Sequence, residues 1–306
     1  MRSERIEVKQ LVGKLSKFGN SPVLWLGPML LMIFAIVLWP VFEMVKTSMM
    51  KISSSGREKG FNGFDNYAEL LENPNLVATL IRTVFWVIVV VTITVLISLV
   101  LAQLLNAKFP GRKIVRWALI VPWASSVIMT ATSFRWMLDG YYGIINRVLL
   151  DLGLIDENVD WLGSAQTSFP WLIVVAVFVS IPFTTFVLLA GLQTIPQDIY
   201  EAARVDGAGW GKTYFQITLP NLLTALFVGT VINLINVFNS FPIIWVMTAG
   251  GPGYDTDTTT TLMYKLAFRS QEVGQSAALS VFNFIIILVF VALYLRASGF
   301  TKKQED

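Results

Sequence analysis

The chain alternates long apolar runs with short polar connections, and the runs are filled almost throughout rather than striped at amphipathic spacing. A hydrocarbon core of about 30 Å needs about 20 such residues of helix. Six runs meet that length, at residues 22–42, 80–105, 114–138, 169–195, 222–248 and 275–295. The pattern therefore predicts an all-α integral membrane protein with six transmembrane helices. The Val/Ile/Thr stretch at 87–97 would favour a strand in water but is ordinary in a lipid-facing helix. Pro122, Pro182 and Pro242 fall inside the third, fourth and fifth runs and mark where those helices can break. Small hydroxyl residues in the third run, from Ser125 to Ser133, suit close helix packing.

The connections differ in kind. Residues 46–79 read as an exposed loop with a short helix at 67–71, and residues 249–275 as a loop with a short helix at 262–268. Within the acidic connection 139–168, Ile144, Ile145, Val148, Leu149 and Leu152 share a face, predicting an amphipathic helix over 141–152 on the membrane surface. Residues 196–220 are polar yet read as structured. Good helix formers at 197–205 follow Pro196, then Gly207, Ala208 and Gly209 supply a turn. Residues 210–216 resume as a second short helix, and Pro220 starts the next apolar run. Such a knob can dock into something outside the membrane. It is not a phosphate cradle: Gly211-Lys212-Thr213 ends like one, but Asp206 stands where the first glycine belongs, on a helix where a strand is needed.

Composition sharpens the picture. Hydrophobic residues make up 55% and charged residues 14% of the 306, and the mean hydropathy is +0.64. With no Cys and no His, thiolate or imidazole metal sites and Ser-His or Cys-His catalysis are excluded. A transport role is expected, with no metal and no cofactor bound by this chain. The net charge of +3 flanks the apolar runs, so no nucleic-acid groove is implied. Fourteen Lys and Arg fall on the side of the knob, the 108–116 turn and both termini, against seven on the other side. Positive charge marks the cytoplasmic side, so knob and termini are expected there. The expected organisation is a cytoplasmic segment 1–21, a six-span domain 22–297 and a tail 298–306. The first run is longer than a signal-peptide core of about 7–15 residues and lacks a cleavage site, so it is expected to be retained. Trp25, Trp39, Trp117, Trp136, Trp171 and Trp245 fall near run ends, where indole anchors at the interface.

Asn233, Asn236 and Ser240 lie at i, i+3 and i+7 of the fifth run, and Asn239 joins them through the distortion expected at Pro242. Amides are costly in lipid, so this face should look inward. Near Phe238 and Phe241 it offers a sugar hydroxyl partners and flat apolar surfaces. The same residues could instead be interhelical glue.

The knob carries Glu201-Ala202-Ala203, Asp206-Gly207-Ala208, then Ile217, Leu219 and Pro220. This spacing resembles the signature loop of permease subunits of ATP-binding-cassette (ABC) importers. Thr248-Ala-Gly-Gly-Pro252, followed by Thr260-Thr-Leu and Tyr264, is similar to the first permease of maltose and glycerol-3-phosphate type sugar importers. The likeness covers roughly residues 20–297, without the maltose permease's extra amino-terminal spans and large periplasmic domain. It implies the type I importer permease fold in a prokaryotic cytoplasmic membrane. Implied partners are a second permease, two cytoplasmic ATPase subunits that hold ATP and Mg, and an extracytoplasmic sugar-binding protein.

In that role Glu201 would bond an ATPase-side donor or stabilise its own helix start. Ala202 and Ala203 would permit close approach, and Gly207 would be the hinge. The resemblance puts substrate groups on the fifth span and on the middle of the fourth, here Val177, Ser180, Phe183 and Thr184. It assigns Gly250, Gly251 and Pro252 to docking of the binding protein. The expected cargo is a di- or oligosaccharide; the alternatives are another solute such as glycerol-3-phosphate, or an ion-coupled carrier, which would ordinarily show buried charges of which the runs offer almost none.

Overall fold

The computed structural model describes residues 22–298. The expected cytoplasmic segment 1–21 and tail residues 299–306 lie outside the described residues, as does the side chain of Trp25. Among the described residues, five helices are long and apolar enough to cross a membrane, and a bent pair supplies a sixth if it is one span. Span one is α1 (Pro22–Ile33), a π-helical segment Phe34–Leu38 and α2 (Trp39–Ser48). Span two is α4 (Leu76–Asn106), span four α8 (Ala165–Gln193) and span six α14 (Val273–Ser298).

Span three departs from the single helix that the pattern predicts. It consists of α5 (Arg112–Ala124) and α6 (Val127–Met137), bent by 99°. Ser125 and Ser126 are extended at the joint, three residues after Pro122, which has no N–H to donate to the helix ladder. The pair still crosses. Phe85 lies 6.2 Å from Phe169, and Ser98 Oγ donates to the Ile181 carbonyl at 3.3 Å, so spans two and four run parallel. Parallel neighbours need one crossing between them.

The connection 46–79 contains a hairpin the pattern did not predict, β1 (Met50–Ile52) against β2 (Glu58–Phe61), before α3 (Asp65–Leu71). Asn66 Nδ2 fastens it by donating to the carbonyls of Ser48 and Met50. The amphipathic helix in 139–168 is present as α7 (Ile144–Asp151).

The largest core cluster lies among spans two to five and includes Trp86, Leu172, Val175, Phe238 and Ile244. Trp86 is buried there with Nε1 bonded to the Val237 carbonyl at 3.0 Å, which satisfies an indole that would otherwise be costly in an apolar interior. Spans four and five meet at small residues. A Cβ on Gly191 would collide with Ala225, and one on Gly229 would press on Val187, the close approach typical of helices packed in lipid. Trp39, Trp117 and Trp136 are exposed, whereas Trp171 packs edge-on against Trp161 and Trp245 stacks on Phe241.

Candidate functional site: the knob and the cavity

The knob begins with α9 (Gln197–Val205). Its C-terminus is closed by two bonds: Gly207 N–H to the Arg204 carbonyl at 3.1 Å, and Ala208 N–H to the Ala203 carbonyl at 2.9 Å. This is the Schellman arrangement, which needs a left-handed residue, and Gly207 has φ +72°. Gly207 thus terminates the helix. Glu201 is the fifth residue of α9 and lies beyond the turn it would have to cap; among the described residues its exposed carboxylate has no partner. Ala203 is buried, whereas Ala202 and Asp206 are exposed. Val205 and Trp210 are 88% and 80% exposed.

The second half of the knob is not a separate short helix. Trp210–Thr213 (α10) runs through a π-helical segment Tyr214–Thr218 directly into α11 (Leu219–Phe238). Pro220 sits inside this continuous helix. A wider π turn moves aside the carbonyl its ring would strike. Ile217, Leu219 and Pro220 are half-buried on this segment.

Span five breaks further along, between α11 and α12 (Phe241–Thr248), at Asn239 and Ser240. Pro242 cannot donate to the carbonyl four residues back. That carbonyl belongs to Phe238; just before it, Asn239 Nδ2 adds a bond at 2.9 Å to the Ile235 carbonyl, which also accepts the Asn239 N–H, and Ser240 Oγ donates to the Asn236 carbonyl at 3.2 Å. Pro182, by contrast, leaves span four continuous.

The breaks in spans three and five open a cavity of about 370 Å³ against the middle of span four, within the usual size of small-ligand sites. Asn233, Asn236, Asn239 and Ser240 all line it, as do Ser180 and Phe183. Val177 and Thr184 do not; both are buried in the helix packing, and the Thr184 hydroxyl is spent on the Ser180 carbonyl at 3.1 Å. Phe238 is likewise buried in the core, and Phe241 stacks on Trp245 at 5.5 Å. The aromatic walls are instead Phe183 and Trp123, the latter on span three beside Ser125. Sequence reasoning passed over Trp123 and Ser125 as a ligand surface; the signal was Pro122 next to them. Among the described residues, no charged side chain lines the cavity. Asn233 is 2% exposed and among the described residues its Nδ2 has no hydrogen-bond partner, so a donor stands buried and unmet beside the cavity.

On the opposite face from the knob, the Gly250 loop folds onto a buried ion pair, Lys265 Nζ to Asp257 Oδ2 at 2.6 Å. Gly250 has φ +79°, and a Cβ there would run into Asp257. Gly250 is buried and Gly251 half-buried, which leaves Pro252 exposed. Lys265 lies on α13 (Thr259–Phe268), the expected short helix, and is a core cation rather than a loop charge. Burial pushes the Asp257 carboxyl above its ordinary value, against the opposing pull of Lys265. Among the described residues, no group of three or more acidic side chains could hold a metal.

A family model described as a binding-protein-dependent transport system inner membrane component matches residues 18–299. A probable ABC transporter permease protein of Brucella suis is 40% identical over 93% of this chain and 98% of its own. The trehalose/maltose transport system permease protein MalF of Thermococcus litoralis is 32% identical over 94% and 95%. A bacterial alginate ABC transporter, solved in complex with an alginate pentasaccharide-bound periplasmic protein, matches with TM-score 0.78 at 22% identity, covering 96% of each chain.

Proposed function

Because the chain belongs to the family of binding-protein-dependent transport system inner membrane components, we propose that it forms half of the membrane path for a sugar in an ABC importer. The chain is a transport subunit whose reaction is movement rather than bond chemistry. A second permease supplies the other half, paired cytoplasmic ATPase subunits hydrolyse ATP, and an extracytoplasmic binding protein delivers the solute. The knob faces the cytoplasm, as the excess of Lys and Arg on its side supports. Glu201 and the exposed Ala202, Val205 and Asp206 meet the ATPase; Ala203, Gly207 and Ala208 hold the shape that presents them. Ile217, Leu219 and Pro220 join the knob rigidly to span five.

The observation that carries the sugar reading is the cavity at the helix breaks. It sets amides and hydroxyls against two aromatic walls, with Asn233 Nδ2 unsatisfied. Such a lining matches the donors, acceptors and flat apolar faces of a glycosyl unit. That a similar protein transports trehalose and maltose supports the same class. Pro252 and its neighbours contribute to the surface on which the binding protein rests. The test is ATP hydrolysis by whatever co-purifies with a tagged copy of this chain, reconstituted in lipid with its binding protein and a panel of sugars. Stimulation by a sugar is the expected result. Absence of any ATPase from gently extracted complexes, with residues 196–220 dispensable for transport, would overturn the reading.

A further inference from the structure

A second cleft, of about 480 Å³, opens on the face that carries the knob. It lies between the inner end of span two (Gln103, Asn106), the loop residue Lys108, the knob helix (Gln197, Tyr200) and the stretch from Trp210 to Thr218. It shares no lining residue with the membrane cavity. Trp210 and Tyr214 stack at 5.7 Å with an interplanar angle of 9°, forming an aromatic wall.

The hydrogen-bond balance of the cleft is uneven. Tyr200 and Thr218 satisfy one another, hydroxyl to hydroxyl at 3.2 Å. Gln103 Nε2 is buried with no partner, and among the described residues the Lys108 ammonium has none either. Among the described residues, Lys108 is the only charged residue in the lining, and no carboxylate answers it. A lining with surplus donors, one cation and a stacked ring wall calls for a hydroxylated ring bearing an anionic, acceptor-rich group. The uncharged membrane cavity makes no such demand.

We propose that this cleft binds a phosphorylated sugar from the knob side and thereby slows transport. Its phosphoryl oxygens meet Lys108 and Gln103, and its ring lies against Trp210 and Tyr214. The ligand would bridge span two and the knob helix. Any motion that shifts the knob relative to span two during coupling would then be resisted by the difference in ligand affinity between the two arrangements. The inference rests on the reading of the knob as the ATPase-facing element.

The test uses the whole complex in lipid nanodiscs, with glucose 6-phosphate as the probe and glucose and inorganic phosphate as comparators. Calorimetry reads binding directly, and ATP hydrolysis stimulated by binding protein reads the consequence. The expected result is saturable binding of glucose 6-phosphate, tighter than either comparator, with slowed hydrolysis. In assembled complexes carrying Lys108→Gln or Gln103→Leu, binding should weaken by about tenfold or more, as expected for loss of a hydrogen bond to a charged group. No binding heat in the unaltered complex, equal binding of inorganic phosphate alone, or undiminished binding by both variants would overturn the proposal. A complex without stimulated hydrolysis counts against the importer reading instead, while the calorimetry still decides the cleft.

Discussion

Lys265 Nζ lies 2.6 Å from Asp257 Oδ2, with the two side chains 4% and 0% exposed. The ammonium also donates to the Gly253 carbonyl at 3.1 Å and sits 4.4 Å from the Tyr254 ring centroid. One residue thus ties the whole Gly250 loop to helix α13. Removing one partner of such a pair strands the other charge in a dry site, typically at a cost of about 3–5 kcal/mol. Lys265→Met should therefore destabilise the purified complex by that order in thermal unfolding. The sign of its pH dependence follows from Asp257. A carboxyl whose folded pKa is raised stabilises the fold while protonated, and loses that contribution as pH rises from about the ordinary 3.8 through the raised value. Without Lys265 the raised value moves higher still, so the variant should lose stability over a window reaching further toward neutral pH. Equal melting curves for variant and parent would count against the pair.

Gly207 tests the knob. Alanine at φ +72° costs about 1–2 kcal/mol of local strain, which should loosen the knob and lower transport without preventing assembly. Proline cannot reach that φ and also removes the N–H bonded to Arg204. Gly207→Pro should leave membrane insertion intact while abolishing uptake. Unchanged uptake by the proline variant would sink the coupling role of the knob.

Asn233 and Asn236 separate binding from packing. Asn233→Leu removes a buried donor that has no partner, so stability should hold or rise by up to about 1–3 kcal/mol, the penalty of an unsatisfied polar group. Uptake should fall in the same variant. Asn236→Leu should likewise alter uptake with the complex assembled. If uptake kinetics match the parent in both, the amide face is interhelical glue.

Trp123 is the aromatic wall supplied by span three. On the sugar reading, loss of a ring contact on the order of an aromatic pair, about 0.5–1.5 kcal/mol, should make Trp123→Ala raise the solute concentration for half-maximal uptake roughly 2- to 10-fold. A lower maximal rate at unchanged half-saturation would instead assign it a gating role.

The sequence by itself determined the membrane class, five straightforward crossings and the surface helices. An apolar run of sufficient length has few other soluble or folded outcomes, because backbone polar groups in lipid must be bonded within the segment. It also located the knob, the amide face and the motif residues, since these depend on local spacing alone. Only the tertiary structure decided what the prolines do. Pro122 and Pro242 stand at broken spans, Pro182 leaves its helix whole, and Pro220 is absorbed by a π turn. The outcome depends on whether neighbouring side chains and helices satisfy the freed carbonyls, and that is a packing question. The break in span three sets which of its residues face the cavity, which is why Trp123 and Ser125 reached it unannounced; Val177 and Thr184 lie on the unbroken span four, on the part of its surface that packs into the core. The burial of Lys265 has the same cause: its partner Asp257 lies on a loop whose path no local pattern encodes.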